Sequence, residues 1–327
     1  MSEMSEMELS SSLPGVTVRA LEYPRDAERV VAIANSVRPD PTSVEAVLAH
    51  EALRAVDGRY VRLVAIAPDG LVVAYGEATH SPWDAPGLFG LELVVDPAWR
   101  GRGAGALLWE TLRQRLAEEG ATRIEVDVRE DDFGAERFAQ ARGFKMERRL
   151  FESTLDPNQF DETPFAGVIE RLEAEGARFF SLADVGDTEA ARRAAYEINR
   201  RAALDIPGRI QTFAPFEEWR RFVCDASWYR AEGQIIAALG ETWVGLGAVG
   251  YFVESNSMYN MITGVDRAYR GRGLALALKL HTIRLARRYG AAYIRTHNDS
   301  ENAPMLAINR KLGYRPEPGL SLYVWTA

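Results

Sequence analysis

The stretch Val95-Asp96-Pro97-Ala98-Trp99-Arg100-Gly101-Arg102-Gly103 returns as Val265-Asp266-Arg267-Ala268-Tyr269-Arg270-Gly271-Arg272-Gly273, an offset of 170 residues. The same offset carries Gly120-Ala121 onto Gly290-Ala291, Ile124 onto Ile294 and Gly143-Phe144 onto Gly313-Tyr314. No insertion or deletion is needed across that span. Several matches in order at one spacing mark a duplication, and two copies are too few for a solenoid. The 327 residues fit two units of roughly 150 each. The copies are placed at 16–156 and 177–327, with a linker over 157–176 and a tail over 1–15. The tail is polar and acidic with little to bury, so it is expected to be disordered. It has no basic start and no apolar core, so it does not read as a signal peptide.

Composition narrows the class. Hydrophobic residues make up 47% and charged residues 26%, near the average for globular proteins. No run approaches the roughly 20 apolar residues needed to cross a bilayer. A formal net charge of -8 disfavours nucleic acid as a partner. The single cysteine, Cys224, excludes an intrachain disulfide and a cysteine-cluster metal site. His50, His80 and His281 have no second ligand at metal spacing, so no metal is expected. These readings suit a cytoplasmic protein, monomeric or homodimeric, with no membrane or nucleic-acid partner.

Each copy reads β-α-α-β-β-β-α-β-α-β, a mixed α/β sheet fold. In the first copy, helices are expected at Ala27–Ser36 and Ser43–Leu53. Strands at Tyr60–Ala67 and Leu71–Thr79 join at Asp69-Gly70, a hairpin signal. A further strand covers Leu88–Val95. Leu108, Leu112 and Leu116 recur every four residues as a buried helix face. Ile124, Val126 and Val128 alternate as a strand, and a short helix at Ala135–Ala141 stops at Gly143. In the second copy, Leu276, Leu280 and Ile283 mark the long helix and Met305–Leu312 the short one. Leu320–Trp325 alternates like a half-buried strand, and Ile169–Ala174 reads as a helix in the linker.

Between strand and long helix, Arg100 to Gly105 and Arg270 to Ala275 have the chemistry of an anion site. Glycine lets backbone approach a ligand closely. The first helical turn offers N–H groups that lack partners within the helix, and with the helix dipole these favour phosphate. Arg100, Arg102, Arg270 and Arg272 add charge. The segment lacks the Gly-Lys-Ser/Thr ending of a P-loop and the third glycine of a dinucleotide fingerprint.

Arg-x-x-Gly-x-Gly/Ala after such a strand, with Gly-Phe/Tyr about 40 residues later, resembles the GCN5-related N-acetyltransferases (GNAT). Both copies match, so nearly the whole chain resembles a tandem GNAT protein, and Thr296-His297-Asn298, Asn302, Met305 and Asn309 extend the likeness. The resemblance implies acetyl-CoA as donor and a small-molecule amine as acceptor. It also implies a bulge where the strand before the loop splays from the next, with pantetheine in the gap. Leu93, Val94 and Val95 would then contact pantetheine, and Gly101, Arg102, Gly103, Ala104, Gly105 and Ala106 would cradle pyrophosphate. Their counterparts are Thr263, Gly264 and Val265, then Gly271, Arg272, Gly273, Leu274, Ala275 and Leu276. The family's helix asparagine matches Asn302, whereas the first copy has Asp132. The family's tyrosine acid falls on Ala139 and Asn309, which departs from its usual mechanism, although Asn309 keeps a hydrogen bond to offer the sulfur.

Base candidates are Glu92, Glu125 and Asp127 in the first copy, and Glu254, His297 and Asp299 in the second. Glu92, His297 and Asn309 are taken as the catalytic set. Trp83, Trp219, Trp228, Trp243 and Tyr229 are candidates for acceptor pockets or core. The segments 36–55 and 203–229, including Asp205-Ile206-Pro207-Gly208, are expected to shape the acceptor sites. Two other readings stay open: an acyl-CoA sensor or scaffold without turnover, and an aminoacyl transferase using charged tRNA.

Overall fold

The computed structural model describes residues 15–38, 40–55, 57–206 and 212–327. The expected tail, apart from Gly15, and Pro207-Gly208 lie outside the described residues. The first copy runs β1 (Thr17–Ala20), α1 (Ala27–Asn35), α2 (Val44–Ala52), β2 (Arg59–Ile66), β3 (Val72–His80), β4 (Leu88–Val95), α3 (Ala104–Glu118), β5 (Arg123–Arg129), α4 (Phe133–Gln140) and β6 (Lys145–Leu155). After α5 (Val168–Ala174), the second copy repeats that order. Its elements are β7 (Ala177–Ser181), α6 (Glu189–Leu204), α7 (Phe216–Cys224), β8 (Gln234–Leu239), β9 (Thr242–Phe252), β10 (Ser257–Val265), α8 (Leu274–Arg288), β11 (Tyr293–Asp299), α9 (Ala303–Lys311) and β12 (Arg315–Thr326). Boundaries fall within a few residues of the sequence expectation.

Local chemistry explains the ends of these helices. Ser43 accepts from Ala46 N at 3.1 Å and starts α2. Asp132 and Asn302 cap α4 and α9 in the same way, through Ala135 N and Met305 N. A carbonyl-like side-chain oxygen there satisfies a donor that the first turn leaves open. The leucine stripe of α3 packs on the sheet, with Leu108, Leu112 and Leu116 fully buried. Each such side chain contributes about 1.5–3 kcal/mol of transfer energy.

The twelve strands form one sheet in the order β1-β2-β3-β4-β5-β12-β6-β11-β10-β9-β8-β7. The sheet does not part where the repeats part. β12 lies antiparallel beside β5, with Leu320 opposite Arg129. β6 lies beside β11, with Leu150 opposite Asp299. These two registers are the same pairing moved by 170 positions, so the copies exchange their last strands symmetrically. β6 and β12 then pair with each other at the centre.

The linker is packed, not loose. Phe165, Ile169 and Leu172 join the buried cluster built on α8. Arg284 bonds Glu162, and Arg287 bonds the carbonyls of Pro157 and Phe160.

Candidate functional site

β4 and β5 run parallel and pair only from Leu88↔Arg123 to Gly90↔Glu125. Beyond that vertex they diverge. β10 and β11 do the same after Tyr259↔Arg295. Each splay opens toward the glycine loop that follows its first strand.

The two vertices differ by one residue. β10 pairs with β9 through a bulge between Asn260 and Ile262, which leaves Met261 as an extra residue. β4 keeps unbroken register with β3 from Gly90 to Val95, so the expected bulge is present in the second copy alone. The offset of 170 therefore becomes 169 before Met261. Tyr259 takes the structural place of Gly90.

Both loops have the expected build. Gly101 and Gly103 have φ of 73° and 89°, and Gly271 and Gly273 have 78° and 96°. A side chain at any of the four meets a backbone region that L-residues avoid. Around Gly101 and Gly271 the space is open. Leu107 N is bonded to Gly103 O and Ala277 N to Gly273 O, so the N–H groups of Ala104, Gly105 and Ala106, and of Leu274, Ala275 and Leu276, precede each ladder. Arg102 and Arg272 lie over the rings of Trp99 and Tyr269 and have no carboxylate partner among the described residues. Arg100 pairs with Asp132, whereas Arg270 bonds Val265 O and pairs with Asp205. The sequence missed Arg171 of α5, whose guanidinium lies 3.4 Å from where a Cβ on Gly273 would be.

In the strands leading to the loops, Leu93 and Val95 turn toward α3 and Val94 toward α1. Val265 is buried under α8. Thr263 accepts from Asn260 Nδ2 at 3.0 Å. Gly264 lies against α6, and a Cβ there would fall 2.2 Å from Ala202 Cβ.

The three residues taken as catalytic lie in different settings. Glu92 accepts from Tyr75 Oη at 2.9 Å and pairs with Arg38. Asn309 is buried and donates to Asn298 Oδ1 at 2.6 Å, so its amide N–H is engaged inside the protein. His297 stands between two groups. Its Nε2 is 2.9 Å from Glu152 Oε2 and its Nδ1 is 2.9 Å from Tyr259 Oη. Burial alone raises the Glu152 carboxyl, but the His297 hydrogen bond, with Arg295 and Arg129 nearby, holds it below the usual carboxylate range. Burial and the Glu152 charge push the Tyr259 phenol up to about 12. Arg295 also pairs with Asp40 of the α1–α2 segment.

Among the other acids, Glu125 is paired with Arg123, and Asp299 with Arg148. Glu254 accepts from Ser43 at the start of α2. Asp127 is different. It is exposed at its tip, and partial burial together with the Glu125 charge raises its carboxyl. Among the described residues it has no hydrogen bond. By the strand register it takes the place that His297 has in the second copy.

A cavity of about 370 Å³ flanks the first vertex. Leu88, Arg123 and Glu125 line it from that vertex, and Trp219, Phe222 and Val223 from α7 of the second copy. Trp83 meets Phe222 edge to face across the copies. The segment 203–229 thus reaches the opposite copy's vertex, and Asp40 does so in the other direction. Trp228, Trp243 and Tyr229 pack within the second copy, on Phe252, Phe180 and Asp187. His80 bonds Leu88 O, and His281 packs on Phe179. No group of three metal-ligating side chains occurs among the described residues, and no helix there is long and apolar enough to cross a membrane.

A family model described as the acetyltransferase (GNAT) family matches residues 28–144 and 192–314. A mycothiol acetyltransferase of Saccharomonospora viridis is 30% identical over 245 residues, 71% of this chain and 72% of its own. An L-2,4-diaminobutyric acid acetyltransferase of Streptomyces avermitilis is 36% identical over 101 residues, 29% of this chain and 56% of its own. A solved tandem GNAT protein from the clavulanic acid biosynthesis pathway superposes with a TM-score of 0.75 at 18% identity, covering 95% of this chain and 98% of that one.

Proposed function

The chain belongs to the acetyltransferase (GNAT) family, and from that premise we propose that it transfers an acetyl group from acetyl-CoA to the primary amine of a small molecule by direct attack. One observation carries the reading. In each copy, two positive-φ glycines and a helix N-terminus stand at the open end of a strand splay. That pairing offers donors to a pyrophosphate and an extended slot with free strand edges beside it. Acetyl-CoA supplies the activated acyl group. Arg102 and Arg272 have no carboxylate partner among the described residues and are available to phosphate, and Arg171, itself paired with Glu175, stands beside the second loop.

The acceptor side supports an amine. The cavity beside the first vertex carries Asp84, Glu125 and Glu147 against Arg123 and Arg148, with flat walls from Trp83, Trp219 and Phe213. Such a lining suits a cationic head on an apolar body.

Gly103→Trp and Gly273→Trp test the loops. Each is expected to remove one acetyl-CoA site in a calorimetric titration. Unchanged stoichiometry in both variants would sink the assignment.

A further inference from the structure

The second vertex holds a chain of three groups that the family resemblance does not contain. Tyr259 is the last paired residue of β10 before the strands diverge. It stands six residues before Val265, or about 20 Å at ~3.3 Å per residue from the end of the strand that feeds the loop. A pantetheine arm laid along this slot from the loop would point its thioester end toward this vertex. The Tyr259 hydroxyl meets His297 Nδ1, and His297 Nε2 meets Glu152. Glu152 is 3% exposed and belongs to β6, the strand that the first copy donates. The first vertex has Gly90, Asp127 and Leu322 in the corresponding places, so it has no such chain.

We infer that Tyr259, His297 and Glu152 form a proton relay that serves amine acetylation at the second vertex, with Tyr259 as the catalytic residue and His297 and Glu152 acting through it. This rests on the acetyltransferase reading above. An ionised carboxylate only accepts, so the neutral imidazole carries its proton on Nε2 and receives the phenol O–H at Nδ1. As the acceptor nitrogen bonds to the thioester carbon, its proton passes to Tyr259 Oη, and the phenol proton passes to His297. Glu152 holds the imidazolium. When the C–S bond breaks, the electron pair stays on sulfur, and the proton returns through Tyr259 to the thiolate. One proton has moved from nitrogen to sulfur, and no further reactant is needed. The relay thus occupies the role left open by Asn309, which lies on α9 and is bonded to Asn298.

The groups facing His297 are Glu152, Tyr259, Arg295 and Asp127, with Arg129 on Glu152 and Asp40 on Arg295. The test uses the full chain carrying Gly103→Trp, so that thiol release from acetyl-CoA reports the second vertex. The probe amines are L-2,4-diaminobutyrate, glucosamine and phenethylamine. Tyr259→Phe and His297→Gln are each expected to lower kcat about 100-fold, with KM for acetyl-CoA within about twofold. His297→Gln and Glu152→Gln should also change the shape of the kcat–pH profile. Tyr259→Phe removes one oxygen and keeps the ring, so it decides the matter where a His297 variant fails to fold. Wild-type kcat and an unchanged kcat–pH profile in Tyr259→Phe would overturn the relay.

A second readout needs no acceptor. The chain has four histidines, so the imidazole nitrogens are assignable by NMR. His297 is expected to show a proton on Nε2 and none on Nδ1, and to shift when acetyl-CoA is added. A neutral His297 protonated on Nδ1, or one unmoved by acetyl-CoA that calorimetry shows to be bound, overturns the relay while the donor site stands. Failure of the broader reading looks different, as absence of acetyl-CoA binding in the wild type.

Discussion

Lys279 shows how far the copies have drifted at a single position. The offset places it on Trp109, and Tyr314 on Phe144. In the first copy those two rings pack 5.1 Å apart. In the second, the Lys279 ammonium lies 4.6 Å from the Tyr314 ring, fully buried and without a hydrogen bond among the described residues. Burial depresses its pKa to about 7. The unfolded chain then binds more protons than the folded one between that value and the ordinary lysine range, so stability rises with pH through this window. Lys279→Met is expected to stabilise the protein by an amount that is largest below pH 7 and shrinks toward pH 10, on the order of 4 kcal/mol across the window. Chemical denaturation at several pH values measures it, and a pH-independent difference would contradict the burial argument.

The same scale shows what the sequence could and could not reveal about the site. Glycine loops are legible because their backbone conformations demand particular residues. Glu92 and His297 stand out as candidates in the sequence, but Tyr75, Arg38, Tyr259 and Glu152 do not. Those partners come from other strands, and Glu152 comes from the other copy. Asn309 has a role toward sulfur only by its place in a motif, and the structure has its amide donating to Asn298.

At the scale of elements, the order of helices and strands in each copy is legible, because leucine stripes and alternation are local signals, although the last strand of the first copy and several elements of the second are not placed by residue. That the expected bulge occurs at Met261 and not in the first copy is illegible in the sequence, because one inserted residue leaves the composition of a strand unchanged. Its effect is large, since a shift of one residue turns every side chain before it to the opposite face. Tyr259 faces His297 for that reason, where Phe89, which an unbroken offset would match to it, faces α3. Close packing on the far side of this strand depends on a missing side chain. Gly264 lets α6 approach β10, with Ala202 filling the space a Cβ would need. The first copy has Val94 there, under α1. Gly264→Val should therefore cost about 1–3 kcal/mol by overpacking, and it should weaken acetyl-CoA binding to the second copy. Thermal unfolding and calorimetry check the two effects separately.

At the scale of the molecule, the duplication was visible in the sequence and the exchange of strands was not. Repeats report which residues correspond, and they say nothing about which copy a strand joins. The exchange makes each vertex depend on both halves: α7 walls the first, while Asp40 and Glu152 serve the second. Segments 1–156 and 157–327 expressed separately are expected to self-associate, β6 or β12 taking its own partner's place beside the open strand. Mixed during refolding, they should recover a one-to-one complex with two acetyl-CoA sites. Light scattering with calorimetry reads both, and a monomeric half that binds acetyl-CoA would count against the exchange.

The position of β12 also sets a timetable for synthesis. The first copy has its β5 by Arg129, yet the strand that pairs beside it arrives roughly 200 residues later. At roughly 5–20 residues per second, that is a delay on the order of 10 to 40 s. Throughout it the nascent sheet presents an unpaired edge, the feature most prone to join a neighbouring chain. The N-terminal half of this protein is thus made first and finished last.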